Sequence, residues 1–113
     1  MNDHLSSSPA LINFVCGWEK FAAKPYRDQG GLWTWGYGHL QKKGEVMPVR
    51  INEQEGARIM ALDLMDAERA VRKGAKVKLT QQQFDALVSL AFNCGAASVV
   101  GSTLMGLLNQ GWV

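Results

Sequence analysis

Glu19 and Asp28 are the carboxylates nearest the stretch of this chain richest in glycine and aromatic residues, apart from Glu45. Two carboxyl groups facing each other across a cleft can divide acid–base work. One, kept protonated by low local polarity, gives its proton to a leaving oxygen. The other stays ionised and activates water or stabilises cationic charge, and cleavage of a glycosidic bond needs both. Trp18, Phe21 and Tyr26 flank the pair and would lower the polarity around Glu19, favouring its protonated form. Thr34 adds a hydroxyl able to hold a water. On composition alone the two acids read as surface charges beside Lys20, Lys24 and Arg27, so the chemistry rests on their spacing.

Secondary-structure elements must position these groups. Ser8-Pro9 is a helix start, with Ser as N-cap and Pro in the first helical position. Leu11, Phe14, Val15 and Trp18 recur at helical spacing as one apolar face, which puts Glu19 at the helix end. Pro25, Gly30, Gly31, Gly36, Gly38 and Gly44 then punctuate short runs of Trp, Thr and Tyr. That pattern predicts a small antiparallel sheet with tight turns near Gln29–Gly31 and Lys43-Gly44, leaning on helices for support. Asn52 with Glu55 is a capping signal for a long helix running to Lys73. Ala57, Met60, Ala61, Leu64, Ala67 and Val71 form its apolar face, and Gly74 is its stop. Within it, Asp63, Asp66 and Glu68 precede Arg69, Arg72 and Lys73, the order a helix dipole favours. Thr80 with Gln83 is a capping box opening a strongly apolar helix through Phe84, Leu87, Val88, Ala91 and Phe92. Gly95 ends that helix, and a last short one spans Ser102 to Asn109 before Gly111.

A chain of 113 residues, 47% hydrophobic and 19% charged, suits one globular domain with a real core and modest stability. No apolar run reaches the roughly 18 residues a bilayer span needs, so stable membrane insertion is not expected. No Lys or Arg precedes the apolar stretch Pro9 to Trp18, which reads as an amphipathic helix rather than a signal peptide. Synthesis and accumulation in the cytoplasm are expected, with release required before any outside target is reached. A net charge of +2 suits an anionic polymer and is too weak to argue for nucleic acid. Cys16 and Cys94 lack zinc-type spacing and read as buried free thiols. No metal and no organic cofactor is implied by any ligand cluster. His4 falls in a tail expected to be floppy and takes no role.

The run Trp18-Glu19-Lys20-Phe21-Ala22-Ala23-Lys24-Pro25-Tyr26-Arg27-Asp28 continues through Gly31-Leu32-Trp33-Thr34-Trp35-Gly36-Tyr37-Gly38-His39. Together these closely resemble the active-site signature of phage-type lysozymes, the endolysin muramidases of glycoside hydrolase family 24. That signature runs Glu, eight residues, Asp, five residues, Thr, then Gly-Tyr-Gly-His, and every part stands here in register. Asp63-Leu64 falls in a long helix like the one joining the two lobes in that family. The stretch from Phe84 to Gly95 looks like its central helix, and Ser102-Thr103-Leu104 and Leu107-Leu108-Asn109 match the segment after that helix. The resemblance spans about residues 8 to 112.

The resemblance implies an α+β, lysozyme-like fold, mainly helical, with a small antiparallel sheet inserted after the first helix and a long connecting helix. Residues 1–18 would be a first helix packing on the helical lobe, 19–51 a small sheet lobe, 52–73 the connecting helix and 74–113 an incomplete helical lobe. The implied activity is hydrolysis of the β-1,4 bond between N-acetylmuramic acid and N-acetylglucosamine in peptidoglycan glycan strands. Glu19 would be the general acid, Asp28 would orient water and stabilise oxocarbenium-like charge, and Thr34 would help place that water. Inversion at the anomeric carbon is the default outcome. Leu40, Phe92 and Asn93 match positions lining the glycan site, although Phe92 serves a core equally well. His39 matches a histidine that pairs with a carboxylate on the connecting helix, at the position of Asp63, so a His39–Asp63 ion pair is expected to tether sheet to helix. Such a protein acts on the periplasmic wall after release, aided by a companion that permeabilises the membrane.

Members of that family continue past the position of Trp112 by about one more helical subdomain, whereas this sequence stops at Val113. The expectation is that the helix bearing Phe84, Leu87, Val88 and Phe92 exposes an apolar face, and that Glu19 lacks a neighbouring cation. A homodimer or swapped assembly would cover such a face. Two readings remain open on the sequence: an active muramidase, or a non-hydrolytic lysozyme-fold remnant of a prophage that binds peptidoglycan or only keeps the fold.

Overall fold

The start signals written into the sequence are used by the structure, a computed structural model that describes residues 2–94, 105, 106, 109 and 110. The Ser8 hydroxyl accepts the Leu11 amide at 3.1 Å and opens α1 (Pro9–Trp18). Of the expected apolar stripe, Leu11 and Val15 are buried while Phe14 and Trp18 are exposed, so only half of the stripe serves a core. The chain divides into two compact units, one of Ile12–Asp63 and one of Met1–Leu11 with Leu64–Val113.

In the first unit, β1 (Ala22–Arg27), β2 (Trp33–Gly36) and β3 (His39–Leu40) form an antiparallel sheet in the order β1-β2-β3. Arg27 pairs with Trp33 and Tyr26 with Thr34, and the register slips between Tyr26 and Ala22. Pro25 falls inside that irregularity, on an edge strand, where a residue without an N–H costs the ladder least. Across the Arg27–Trp33 pair the guanidinium lies 4.9 Å from the indole ring, a cation–π contact. The Gly36-Tyr37-Gly38 turn joins β2 to β3 with φ of 66° and 79° at its glycines, a region that other residues enter only with strain.

Helix α2 (Glu53–Asp63) packs on this sheet. Its start is the reciprocal cap expected, with the Glu55 amide donating to Asn52 Oδ1 at 2.8 Å and the Asn52 amide to Glu55 Oε1 at 3.4 Å. Gly56 lets the helix come close: a Cβ there would stand 2.9 Å from the Phe21 ring and 3.1 Å from that of Tyr37. Those two rings pack at 5.1 Å, and Trp35, Ile51 and Met60 fill the unit's core.

In the second unit, α3 (Met65–Gly74) packs on α4 (Gln81–Cys94). The reciprocal Thr80–Gln83 box opens α4, with amide donations of 2.9 and 3.1 Å. The one long helix expected from 52 to 73 is two, interrupted at Leu64, which keeps helical dihedrals of φ −73° and ψ −14°. Leu64 is fully buried, and no glycine or proline marks the interruption. Phe84, Leu87 and Val88 are buried within the chain rather than exposed, together with Leu64, Val71 and Met105. Of the four residues expected to form an exposed apolar face, the first three are covered and Phe92 is half-buried. Gly95, residues 102–104, Leu107, Leu108 and Gly111, on which the expected helix stop and last helix partly rest, lie outside the described residues. Asn109 accepts the Lys76 amide and donates to the Gly74 carbonyl at 2.8 Å, closing the end of α3.

The N-terminal tail is a further correction: it is stapled, not floppy. Asn2, 2% exposed, donates to the Val77 carbonyl and accepts the Leu79 amide, both at 2.9 Å. Arg72 donates to the Leu5 carbonyl at 2.7 Å and lies over the Phe84 ring. Ser7 donates through its amide and hydroxyl to Glu68, and Ser8 does the same to Asp85. His4 itself is exposed. Asn2→Ala leaves the buried Leu79 amide without its acceptor and should cost about 1–3 kcal/mol. Urea denaturation checks this; an unchanged midpoint would mean that the staple contributes nothing.

Candidate active site

Glu19 follows α1 directly, its amide donating to the Cys16 carbonyl at 3.2 Å. Its carboxylate rests on the β2–β3 turn: a Cβ built on Gly38 would lie 3.1 Å from Glu19 Oε2. Gly38 thus has two reasons to be glycine, its positive φ and the acid beside it. Burial first, and then the Glu19 charge, push the Cys16 thiol above its ordinary value, which leaves it a poor nucleophile. Cys16 is half-buried rather than buried; the Cys94 side chain lies outside the described residues. Trp18, expected to shield the acid, is 77% exposed and meets Phe14 edge-on at 6.1 Å. Phe21 and Tyr26 instead line, with Lys20 and Ala22, a hollow of about 280 Å³ along the chain that leads away from Glu19.

Asp28 occupies the turn between β1 and β2 and builds it. Its Oδ1 accepts the amides of Gly30 and Leu32, each at 2.9 Å, while the backbone closes the turn through Asp28 N–H to Leu32 at 2.8 Å. Such an Asx turn fixes the carboxylate's orientation and leaves Oδ2 with no partner among the described residues. Thr34, in the middle strand, is 3% exposed, and its hydroxyl donates to the Leu32 carbonyl at 3.2 Å. The oxygen's lone pairs remain able to accept. Leu40, half exposed, pairs with Thr34 across the strands and so shares its face of the sheet.

His39 is 4% exposed and lies between two carboxylates. Nδ1 is 2.8 Å from Asp63, the expected partner, and Nε2 is 2.9 Å from Glu45, which sequence reading left without one. Both nitrogens meet acceptors, an arrangement that only the protonated ring, with a hydrogen on each nitrogen, satisfies in full. Trp35 packs against it at 5.1 Å. Burial alone would lower the His39 pKa, but the hydrogen bonds and charges of Glu45 and Asp63 outweigh it and hold the pKa above the ordinary 6.5. Burial likewise opposes the charge on Glu45, yet the Lys42 amide and His39 hold its carboxyl below the ordinary 4.5. The only sequence signal for Glu45 was its place just after the Lys43-Gly44 turn.

Glu19, Asp28, Thr34, Leu40, His39 and Asp63 thus all belong to the unit Ile12–Asp63. Phe92 and Asn93 belong to the other unit, half-buried and exposed respectively on α4. The arrangement around the sheet offers one carboxyl on a turn, one oriented carboxylate with a free oxygen and a hydroxyl able to accept from water.

Known proteins share this fold and part of this sequence. A family model described as Phage lysozyme matches residues 16–113. An endolysin of Bacillus phage B103 is 36% identical over 110 residues, covering 95% of this chain and 41% of its own length. An endolysin of Acyrthosiphon pisum secondary endosymbiont phage 1 is 34% identical over 110 residues, covering 96% of this chain and 71% of its own. Among solved structures, the endolysin from Escherichia coli O157:H7 phage FAHEc1 matches with a TM-score of 0.86 at 29% identity, over 99% of this chain and 72% of that one. This chain therefore spans less than half the length of the Bacillus phage relative. The α+β, lysozyme-like architecture expected from the sequence is the one it has.

The two titrations around His39 give a pH window. His39, raised in the fold, stabilises fully below its unfolded value near 6.5, and this is lost as pH rises through the folded value. Glu45, lowered in the fold, stabilises above its unfolded 4.5, and this is lost as pH falls through the folded value. Stability should therefore peak between these values and decline towards pH 9 in urea titrations, while His39→Gln flattens the alkaline decline. Parallel profiles for the two proteins would refute the assignment.

Proposed function

We propose an activity on one premise: this chain belongs to the phage lysozyme family. The activity is hydrolysis of peptidoglycan glycan strands at the β-1,4 bond between N-acetylmuramic acid and N-acetylglucosamine, with lysis of the bacterial cell as its result. The observation that carries this reading is the Glu19 carboxyl seated on Gly38, at one turn of the sheet whose other turn is oriented by Asp28. Strand β2 separates the two turns by three residue rises, about 10 Å. An inverting outcome needs the two carboxyls about 6.5–9.5 Å apart, which leaves room for a water.

In this mechanism Glu19 protonates the glycosidic oxygen as its bond to the anomeric carbon breaks. A water donates one hydrogen bond to Asp28 Oδ2 and another to the Thr34 hydroxyl, which turns its lone pair towards the opposite face of that carbon. Its proton passes to Asp28 as the new C–O bond forms, and the configuration inverts. Until then the Asp28 charge stabilises the oxocarbenium-like carbon. Leu40, exposed beside Thr34, offers an aliphatic surface to the sugar. The wall is the site of action, reached from the cytoplasm after release; among the described residues no helix is long and apolar enough to cross a membrane.

Purified peptidoglycan incubated with the protein should yield new reducing ends, and Glu19→Gln or Asp28→Asn should lower the rate by about 10²–10⁴-fold. Equal release from the unaltered chain and from Glu19→Gln would sink the hydrolytic reading and leave a wall-binding protein. Gly38→Ala drives a methyl into the Glu19 carboxylate. It should lower kcat far more than it raises KM in protein that remains folded by circular dichroism; a change in KM alone would mean that Gly38 does not position the acid.

A further inference from the structure

The segment after β3 combines a fixed base with an apolar tip. At its start the Lys42 amide donates to Glu45 Oε1 at 2.9 Å, the Glu45 amide to the Lys42 carbonyl at 3.0 Å, and Gln41 Nε2 to the Glu45 carbonyl at 2.9 Å. The Glu45 carboxylate is further anchored on His39. At its end the Ile51 amide donates to the Ala23 carbonyl at 2.9 Å. Between these anchors Val46, Met47 and Val49 are 88%, 39% and 90% exposed. Single exposed aliphatics are ordinary on protein surfaces, but three in four consecutive positions on a loop pinned at both ends are a presented patch.

Charge surrounds this tip. Lys42 and Lys43 precede it, both exposed, and Arg50 comes after it. His39 is shared between Glu45 and Asp63, the Lys42 charge also acts on Glu45, and Arg50 shares its hollow with Glu53 and Glu55. Lys42 and Lys43 are the exposed cations that lead into the tip, Lys42 sharing its charge with Glu45. The patch is convex and made of three side chains, too small for the roughly 800 Å² per partner that a stable protein interface buries. It has no aromatic ring on which a sugar or a base would stack. Aliphatic side chains at a tip with cations behind them fit an interface in which the tip enters the acyl boundary and the cations stay with the phosphates.

We propose that the Val46–Val49 loop docks this protein reversibly on an anionic phospholipid surface, with Lys42 and Lys43 as its phosphate contacts. Nothing about the Glu19 site is required for this, and the loop works whether or not the chain cuts glycan. The docking is peripheral, since the tip is only one loop deep.

Co-sedimentation with vesicles of phosphatidylglycerol and phosphatidylethanolamine, set against pure phosphatidylcholine vesicles, tests it. The full chain should partition onto the anionic vesicles at low salt and be released as salt rises to about 0.5 M, where the screening length falls to a few ångströms. V46D/V49D should weaken partition at least about ten-fold through the lost apolar burial. K42Q/K43Q should weaken it by about 25-fold, five-fold for each cation. All four side chains are exposed, and thermal melts of both variants should match the unaltered chain. Partition that is equal on the two lipids, or unaffected by V46D/V49D, overturns the proposal. So does a V46D/V49D variant that loses binding to purified sacculi while its vesicle partition is unchanged, because the loop would then be a wall contact.

Discussion

The His39 imidazolium, buried between Asp63 on α2 and Glu45 on the loop after β3, is the contact on which the sheet unit depends. A three-stranded sheet with strands of six, four and two residues cannot hold itself together in water. It needs a helix, and the helix needs a fixed place on the sheet. The imidazolium supplies that by engaging both ring nitrogens, one towards the helix and one towards the loop, while Trp35 packs against it at a tilt. Removing either carboxylate would leave a buried cation half satisfied, which costs more than the pair contributes when complete.

Around that fixed point, close approach is achieved by leaving side chains out. Gly36 and Gly56 stand so near each other that a Cβ on the first would lie 3.7 Å from the Cα of the second. Gly56 also clears space for Phe21 and Tyr37, and Gly38 clears space for Glu19. The acid consequently rests against the shape of a turn, with no hydrogen-bonding partner among the described residues. Asp28 is arranged differently. One of its oxygens is committed to building the β1–β2 turn, and that commitment aims the other.

The helical unit relies on polar contacts across long stretches of sequence. Glu68 and Asp85 each collect donors from the segment ahead of α1, and Asn2 bridges the α3–α4 connection from more than seventy residues away. Buried polar groups of this kind are costly unless satisfied, and among the described residues none is left unpaired. Each therefore acts as a positional constraint as well as a contact, and together they turn a leading segment of polar residues into part of the packed unit.

What the sequence determined by itself is what neighbouring residues decide. The Ser8, Asn52–Glu55 and Thr80–Gln83 caps close over three positions, so their hydrogen bonds are legible in the letters. The same holds for the β1–β2 turn at Asp28, and the Glu19–Asp28–Thr34 spacing was readable as a pattern, together with the family it resembles. Tertiary structure decided the rest. Glu45 reaches His39 only because the Lys42–Glu45 turn folds it back, and no spacing rule announces that. The Asn2 staple, the burial of Phe84, Leu87 and Val88, and the exposure of Trp18 depend on which surfaces meet. Periodicity says that a face is apolar; it does not say what covers it, because burial belongs to pairs of elements that lie far apart along the chain. The helix interruption at Leu64 belongs with these, since the sequence there keeps good helix formers and no breaker.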